Sequence, residues 1–195
     1  MKTRFVLFFL SMALVSAVQA RAKTSLPDAC GNDSVKFEVK TEKNPHAPVE
    51  PPAGKALVVF SYTGPYKWSP FSYIIPRYGI DGAWVGANNG ESWFAVAVEP
   101  GEHRVCADIQ SHELSDVGGF TAKAGEVYYF ESQLSLTGGS AGTLLSAGVT
   151  PTGGMAPAAQ VGGSPGSESF SLVRLSEDTG KSHVKAWKHS TWKTK

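Results

Sequence analysis

The chain has 195 residues and a mass of 20.7 kDa, enough for one domain with additional segments. Its 21 glycines and 12 prolines indicate many turns, while a hydrophobic share of 42% excludes a wholly disordered chain. The net charge of +1 argues against a nucleic-acid-binding protein, which carries a large basic excess. Beyond the N-terminus no apolar run approaches the roughly 18 residues of a membrane helix.

Residues 1–20 have the three-part pattern of a secretory signal. Lys2 and Arg4 precede an apolar stretch from Phe5 to Val15, and small residues stand just before Arg21. A membrane anchor is the alternative, but the apolar stretch is short for a bilayer. We therefore expect cleavage before Arg21 and a periplasmic or extracellular mature protein with no membrane-spanning segment. Cleavage would remove two basic residues and no acid, changing the net charge from +1 to −1.

Cys30 and Cys106 are the only cysteines, and in an exported chain such a pair predicts a disulfide. Cys106 lies in an expected strand, His103–Gln110, whose alternation places it opposite the apolar face of Val105 and Ala107. The sequence therefore predicts that the disulfide pins an N-terminal segment across the outside of a sheet. Two free thiols, one of them nucleophilic, are the alternative.

Alternating and β-type residues predict short strands along the rest of the chain. They are expected at Val35–Lys40, Lys55–Tyr62, Tyr78–Ile80, Ala83–Val85, Trp93–Val98, His103–Gln110, Glu126–Leu134 and Phe170–Leu175. The run at Lys55–Tyr62 is continuously apolar, as in a central strand. Asp81-Gly82 predicts a hairpin turn and Pro100-Gly101 a second turn. This spacing is typical of an all-β fold, an antiparallel β-sandwich of about seven strands.

The remaining segments complete the expected domain organisation. The stretch Glu177–Trp192 predicts a short C-terminal helix, because its acids come early and its lysines late. The Gly-, Ser-, Ala- and Pro-rich stretch is too poor in large apolar residues to order itself and predicts a flexible loop. The expected units are a signal peptide (1–20), an N-terminal extension with one strand and a Pro-rich linker (21–54), a β-sandwich domain (55–136 and 168–190), the flexible loop (137–167) and a basic tail (191–195).

Several short motifs, in this order, resemble a known family. They are PAGKALVVF (Pro52–Phe60), DGAWVG (Asp81–Gly86), VEPGEH (Val98–His103) and AGEVYYF (Ala124–Phe130). Together they resemble the bacterial domain of unknown function 2846, and the upstream Cys30–Val39 resembles an extension of its exported members. The hairpin and the Pro-Gly turn are also similar to PEGA-type and transthyretin-like modules. The resemblance implies a small β-sandwich of the cell envelope and brings no catalytic residues.

A search for catalytic motifs finds one weak match. Gly138–Gly142 fits the G-x-S-x-G pattern of a nucleophile elbow, but it lies in low-complexity sequence with no helical pattern after it. A serine hydrolase using Ser140 is therefore kept only as an alternative. The five histidines lack metal-ligand spacing, and neither a P-loop nor a dinucleotide-binding pattern is present. We expect no enzyme, no metal and no cofactor.

Two binding surfaces are hypotheses. The basic C-terminal stretch interleaves lysines with tryptophans, which suits anionic polymers or headgroups; its alternative is a frayed, solvated terminus with one tryptophan packed on the sheet. Its candidate contacts are Lys181, Lys185, Trp187, Lys188, Trp192 and Lys193. The aromatic loop 62–78 suits sugars or a partner strand, unless its rings fill the core.

The expected function is accordingly a non-enzymatic, exported binding or structural module that contacts a cell-envelope component or another envelope protein. The alternative is a partner-docking subunit that uses the aromatic loop 62–78.

Overall fold

The computed structural model describes residues 26–43, 49–64, 74–112, 114–136 and 168–195. They form two mostly antiparallel sheets with one short helix near the C-terminus, which confirms the predicted all-β sandwich. The strands in chain order are β1 (Phe37–Glu42), β2 (Ala56–Tyr62), β3 (Arg77–Ile80), β4 (Ala83–Ala87), β5 (Ser92–Val98), β6 (Gly101–Ile109), β7 (Leu114–Ala122), β8 (Val127–Leu136), β9 (Glu168–Arg174) and β10 (Lys188–Thr194). A 3-10 turn spans Gln110–His112, and helix α1 spans Glu177–Ala186. Among these residues, no helix has the length and apolar character of a membrane span.

The larger sheet has six strands in the order β1-β10-β5-β2-β8-β9. Every residue of β2 is buried, and this strand lies between β5, to which it is antiparallel, and β8, to which it is parallel. A strand covered on both faces needs apolar residues at successive positions, since neither face meets water. The continuous run at Lys55–Tyr62 thus predicts the central strand correctly.

The smaller sheet has four strands in the order β4-β3-β6-β7. Its β3–β4 hairpin turns at Asp81 and Gly82, whose φ angles are 51° and 87°. Positive φ at both central residues defines the two-residue turn whose twist matches antiparallel strands, and Asp-Gly is a favoured sequence for it. The predicted hairpin is therefore confirmed.

Aromatic rings fill the space between the two sheets. Phe60 of the larger sheet lies with its ring centroid 4.8 Å from that of Tyr78 in the smaller sheet, and 5.4 Å from that of Phe94. Phe130 packs against Phe60 at 6.0 Å. All four rings are fully buried, so they form the centre of the core that joins the sheets.

The outer face of the smaller sheet is covered by residues 26–36, which we call the N-terminal strap. A disulfide joins Cys30 of the strap to Cys106 of β6, and both cysteines are buried with Ala29. The neighbours of Cys106 in β6, Val105 and Ala107, point the other way into the core between the sheets. The prediction of a disulfide that pins an N-terminal segment outside a sheet is confirmed.

A buried arginine adds polar contacts under the strap. Arg77 is 3% exposed, and its Nε donates to Asp108 Oδ2 at 2.6 Å. Its Nη1 donates to the carbonyl oxygens of Asp33 and Val35, and its Nη2 donates to Asp33 Oδ1. The guanidinium also lies 4.4 Å from the centre of the Trp84 ring. These contacts give the buried charge partners from both the sheet and the strap, as a buried ion requires.

Helix α1 covers the outer face of the larger sheet. Ser176 caps it by accepting a hydrogen bond from the Thr179 amide, and acids follow in the first turn, as the helix dipole favours. Gly180 is buried against the Tyr129 ring so closely that a Cβ at this position would overlap the ring. The absence of a side chain therefore lets the helix lie directly on the sheet.

Two parts of the sequence prediction are wrong. The predicted helix Glu177–Trp192 ends at Ala186, and Lys188–Thr194 form β10, so residues 191–195 are not a separate basic tail. β10 pairs with β1 and, through Lys188 and His189, with β5, and its Trp192 packs against Phe94. The described residues form ten strands, more than the seven or so predicted, because the sequence pattern does not reveal β7 and β10. The adjacent glycines of β7 have low strand propensity and conceal it.

Other expectations shift or fall outside the described residues. The predicted strand Val35–Lys40 begins at Phe37 and continues to Glu42. The predicted flexible loop 137–167 lies outside the described residues, as does the signal peptide 1–20.

Candidate functional site

An open groove of about 750 Å³ lies where the turns at one end of the sandwich meet. Its lining comes from the β3–β4 hairpin, from β6 and β7, from the β7–β8 turn and from the end of β9. We call it the turn groove. Its lining combines charged side chains with the rings of His103, Phe120 and Tyr128.

His103 connects two of these turns. Its Nδ1 lies 2.7 Å from Asp81 Oδ2 in the hairpin, and its Nε2 lies 2.7 Å from the Glu99 carbonyl oxygen before β6. Burial lowers the pKa of His103, but the hydrogen bonds to Asp81 and Glu99 outweigh burial and raise it above the usual value. Because both ring nitrogens face acceptors, the imidazolium is the form that satisfies both, and neither nitrogen is placed to accept a proton from a nucleophile.

Asp81 is correspondingly held in its charged form. Besides His103 it accepts a hydrogen bond from the Arg104 amide at 2.8 Å. Burial alone would raise the pKa of Asp81, but the two hydrogen bonds lower it by more, so the pKa lies below its usual value. The hairpin turn is thereby fixed to β6 by a charged pair.

The opposite wall of the turn groove is built around Tyr128. Its hydroxyl donates to Glu126 Oε2 at 2.6 Å and accepts from the Lys123 amide at 3.0 Å. The guanidinium of Arg174 lies over the ring, 4.9 Å from its centre. Lys123 Nζ is 3.8 Å from Glu126 Oε1. The Tyr128 ring thus positions the Arg174 guanidinium, and the Tyr128 hydroxyl forms a hydrogen bond to the Glu126 carboxylate.

The charges of the turn groove divide into paired and unpaired groups. Asp81 is paired with His103, and Glu126 with Lys123. In the part of the chain that the structure describes, neither Arg104 nor Arg174 forms an ion pair. Guanidinium groups bind carboxylates and phosphates through two parallel hydrogen bonds, so the groove offers donors for an anion.

A second polar cluster crosses the larger sheet beneath α1. Strand register places its members side by side on neighbouring strands, on the face that α1 covers. They are Glu42 of β1, His189 of β10, Trp93 of β5, Ser61 of β2 and Glu131 of β8. Trp93 Nε1 and the Nδ1 atom of His189 are buried without a hydrogen-bond partner among the described residues. Such groups are costly in a protein interior, which makes this cluster the second candidate site.

His183 of α1 lies above this cluster. Its ring stacks on Trp187 with centroids 3.8 Å apart, and its Nδ1 is 4.0 Å from Glu131 Oε1, beyond hydrogen-bond distance. Glu131 instead accepts hydrogen bonds from Thr63 and from Gln133. Burial lowers the pKa of His183 although Glu131 opposes this, and burial also lowers the pKa of His189 although Glu42 opposes it. Both imidazoles are accordingly neutral at pH 7.

This cluster lacks a presented nucleophile. Ser61 is 3% exposed and donates to the Phe130 carbonyl at 3.3 Å, so its hydroxyl points to the backbone of the neighbouring strand. No group of three His, Cys, Asp or Glu side chains among the described residues is arranged to hold a metal ion. Ser140 lies outside the described residues, so the hydrolase hypothesis stays a prediction.

The structure divides the two predicted tryptophan contacts between opposite faces of the larger sheet. Trp192 is half-buried and packs against the core, 4.6 Å from Phe94. Trp187 lies at the end of α1, stacked on His183. The alternative of one tryptophan packed on the sheet describes Trp192, although the segment that carries it is an ordered strand.

The four predicted lysine contacts also differ from one another. Lys181 pairs with Glu177 at 2.5 Å and Lys193 with Glu38 at 3.2 Å. Lys185 and Lys188 are exposed and form no ion pair among the described residues. The six predicted residues therefore do not form one patch, and the free positive charge of this region lies at the C-terminal end of α1.

Only the ends of the predicted aromatic loop lie within the described residues. Tyr62 and Tyr78 are 1% and 0% exposed and belong to the core, as the alternative interpretation expects. Residues 65–73, which hold Trp68 and the other rings of the loop, lie outside the described residues.

Sequence reasoning identified the turns of the turn groove but not the groove. Asp81 and the Pro-Gly turn were recognised as turn signals, while His103 was considered only for metal spacing. Arg174 carried no signal, because it joins Tyr128 through the register of β8 and β9. No family model, curated protein or solved structure matches the chain, so the resemblance to the domain of unknown function 2846 stays a prediction.

Proposed function

We propose that the protein is an exported, non-enzymatic binding module of the bacterial cell envelope. The observation that carries this proposal is the Cys30–Cys106 disulfide, which ties the N-terminal strap over a buried arginine. Disulfides persist in oxidising compartments and are rare in the cytosol. The secretion pattern of residues 1–20 supports the same compartment from an independent part of the chain.

The turn groove supports a binding role within this proposal. Its histidine is engaged at both nitrogens, whereas its two arginines are free of ion pairs among the described residues. Such a groove presents cationic donors to a ligand, while its histidine is occupied by hydrogen bonds to Asp81 and Glu99. The turns that form it are fixed to the sandwich by short hydrogen bonds, so the site is largely preformed.

Export is tested by expressing the full chain in a bacterial host and fractionating the cells. We expect a periplasmic or secreted protein whose intact mass corresponds to a start at Arg21 and whose two cysteines resist alkylation until reduced. A control with Lys2 and Arg4 replaced by Glu should remain uncleaved in the cytoplasm. Full-length protein with alkylatable thiols in the cytoplasm would overturn the proposal.

Contact with an anionic surface is a second candidate function, favoured by Lys185 and Lys188, which are exposed and form no ion pair within the described part of the chain. Vesicles with anionic headgroups should co-sediment the mature protein at low salt and release it at high salt. Replacing both lysines by Gln should abolish sedimentation, whereas Lys193→Gln, which removes an ion-paired lysine, should not. The test uses point substitutions and not a truncation, because a chain that ended at Asp178 would lack most of α1 and all of β10. Equal sedimentation of all variants would rule this function out.

The partner-docking alternative depends on the aromatic loop 62–78. It predicts that a partner co-purifies with the exported protein and is lost on Trp68→Ala. Serine hydrolysis, the remaining alternative, predicts esterase activity that disappears on Ser140→Ala; that result would contradict the non-enzymatic proposal.

A further inference from the structure

We propose that the turn groove binds a small organic anion, a ligand with carboxylate or phosphate groups, and that Arg174 is its charged contact. This inference rests on the proposed function, because it names the ligand class of the same binding module. It is carried by the position, pairing and surroundings of the charged side chains that line the groove.

Arg174 is presented to the groove in a fixed orientation. Its guanidinium lies 4.9 Å from the centre of the Tyr128 ring, and a guanidinium over an aromatic face keeps its N–H donors free at its edge. Tyr128 is itself held by hydrogen bonds to Glu126 and to the Lys123 amide. An ordered cation loses less conformational entropy on binding than a freely rotating one, so Arg174 is prepared for an anion.

The acids of the groove compete little for Arg174. Asp81 is bound by His103 and by the Arg104 amide, and Glu126 is bound by Tyr128 and lies near Lys123. Glu102 is the one lining acid without an ion pair among the described residues. With His103 protonated, the four cations of the lining, Arg104, Lys123, Arg174 and His103, outnumber the three acids. The balance favours a small anion over a cation.

His103 makes this binding depend on pH. The groups that face its ring are Asp81 in the hairpin, the Glu99 carbonyl before β6 and Phe120 in β7, whose ring centroid is 5.5 Å away. Arg104 and Glu102 flank it along β6. When His103 is protonated, its positive charge neutralises the Asp81 carboxylate. When His103 is neutral, that carboxylate keeps its negative charge and repels an anionic ligand. Affinity for an anion should therefore fall as the pH rises.

The test is a calorimetric titration of the mature, disulfide-bonded protein with three probes. Citrate supplies carboxylates, glycerol 3-phosphate supplies a phosphate ester, and glucose is the neutral control. We expect at least one anion to bind and glucose not to bind; which anion binds more tightly decides between carboxylate and phosphate as the recognised group. Binding should weaken as salt is added and should be tighter at about pH 6 than at about pH 8.

Substitutions assign the binding to the groove. Arg174→Gln should weaken binding of the anion about tenfold or more, as expected for losing a charge-assisted hydrogen bond. Arg104→Gln should weaken it less, because Arg104 lies on the same side of β6 as Cys106. Lys40→Gln removes the same charge from β1, at the opposite edge of the larger sheet, and should leave affinity unchanged. His103→Gln should remove the dependence on pH. Thermal melting of each variant establishes that it is folded.

The outcomes separate this inference from the proposed function. Failure of both anions to bind the folded protein, or an equal loss of affinity in Lys40→Gln, overturns the anion site while export and the disulfide stand on their own test. Consumption of glycerol 3-phosphate during the titration would instead contradict the non-enzymatic proposal.

Discussion

The two sheets of the sandwich cover their outer faces in different ways. On the smaller sheet, the N-terminal strap lacks helix and strand across residues 26–36 and is held by one disulfide and by the hydrogen bonds of Arg77. On the larger sheet, α1 packs an apolar face against Leu57, Val59 and Tyr129. The internal hydrogen bonds of the strap are few and short-range, such as those from the Cys30 amide to the Pro27 carbonyl and from the Val35 amide to the Asn32 carbonyl, so its ordering cost is offset mainly by contacts with the sheet. The strap should therefore depend on a few strong contacts, and the helix on many weak ones.

The largest effect should come from removing the covalent tie of the strap. The bond closes a loop over a sequence separation of 76 residues, so the paired change Cys30→Ser and Cys106→Ser should lower the free energy of unfolding by about 4 kcal/mol. Urea denaturation of the variant and of the reduced native protein measures this loss, and the two should agree. A loss below about 1 kcal/mol would show that the polar contacts alone hold the strap.

The buried ion pair beneath the strap should give the next largest effect. Asp108→Asn removes the carboxylate that faces Arg77 Nε, so Asp33 is left as the carboxylate that pairs with the guanidinium. We expect this change to lower the free energy of unfolding by about 3 kcal/mol. Glu177→Gln breaks an exposed ion pair on α1 and is the matched control, with a much smaller effect expected. Equal losses of unfolding free energy in the two variants would contradict the proposal that the strap depends on a few strong contacts and the helix on many weak ones.

The helix covering is most sensitive where it lies closest to the sheet. Gly180→Ala would normally favour a helix by about 1 kcal/mol, but the added methyl overlaps the Tyr129 ring and should cost about 1–2 kcal/mol instead. Ser182→Ala, on the exposed side of the same helix, should be neutral or slightly stabilising. Thermal melting compares the two; a stabilising Gly180→Ala would mean that α1 moves off the sheet without cost.

The smallest effect is a difference in how pH acts on two histidines. The pKa of His183 is lowered from 6.5 by burial, so the unfolded chain binds its proton first and stability falls as the pH drops below about 6.5. The pKa of His103 is raised, so its contribution is present below about 6.5 and is lost as the pH rises through the folded-state value. We expect acid to loosen the helix covering while it strengthens the turn groove.

Stability measured across this pH range in His183→Gln and His103→Gln checks the opposite signs. His183→Gln should lessen the loss in acid, and His103→Gln should lower stability more at acid than at alkaline pH. The same sign in both variants would contradict the assignment.

The predictable parts of this fold were those encoded in neighbouring residues. The apolar run of β2 specifies a strand buried on both faces, and Asp81-Gly82 specifies its own turn. Alternation around Cys106 gives the face that the strap covers. In contrast, β10 contains six polar and charged residues besides Trp192, a composition without the pattern of a strand, and only its pairing with β1 and β5 decides the outcome.

The candidate sites were not predictable for a related reason. The turn groove joins Asp81, His103, Tyr128 and Arg174, which come from both sheets, and the cluster under α1 follows a register across five strands. Neither leaves a spacing signature, because β pairing brings together residues that are far apart in sequence. Local patterns thus predict elements, whereas these sites require the complete topology.

The position of β10 has a consequence for how the chain becomes folded. In the larger sheet β1 pairs with β10 and with no other strand, and the two match residue for residue from Phe37–Thr194 to Glu42–His189. Strand β1 therefore cannot pair in the sheet until β10 is available. Pairings of such long sequence separation form slowly, so a chain threaded through a membrane from its N-terminus would carry an unpartnered β1 until β10 has also crossed.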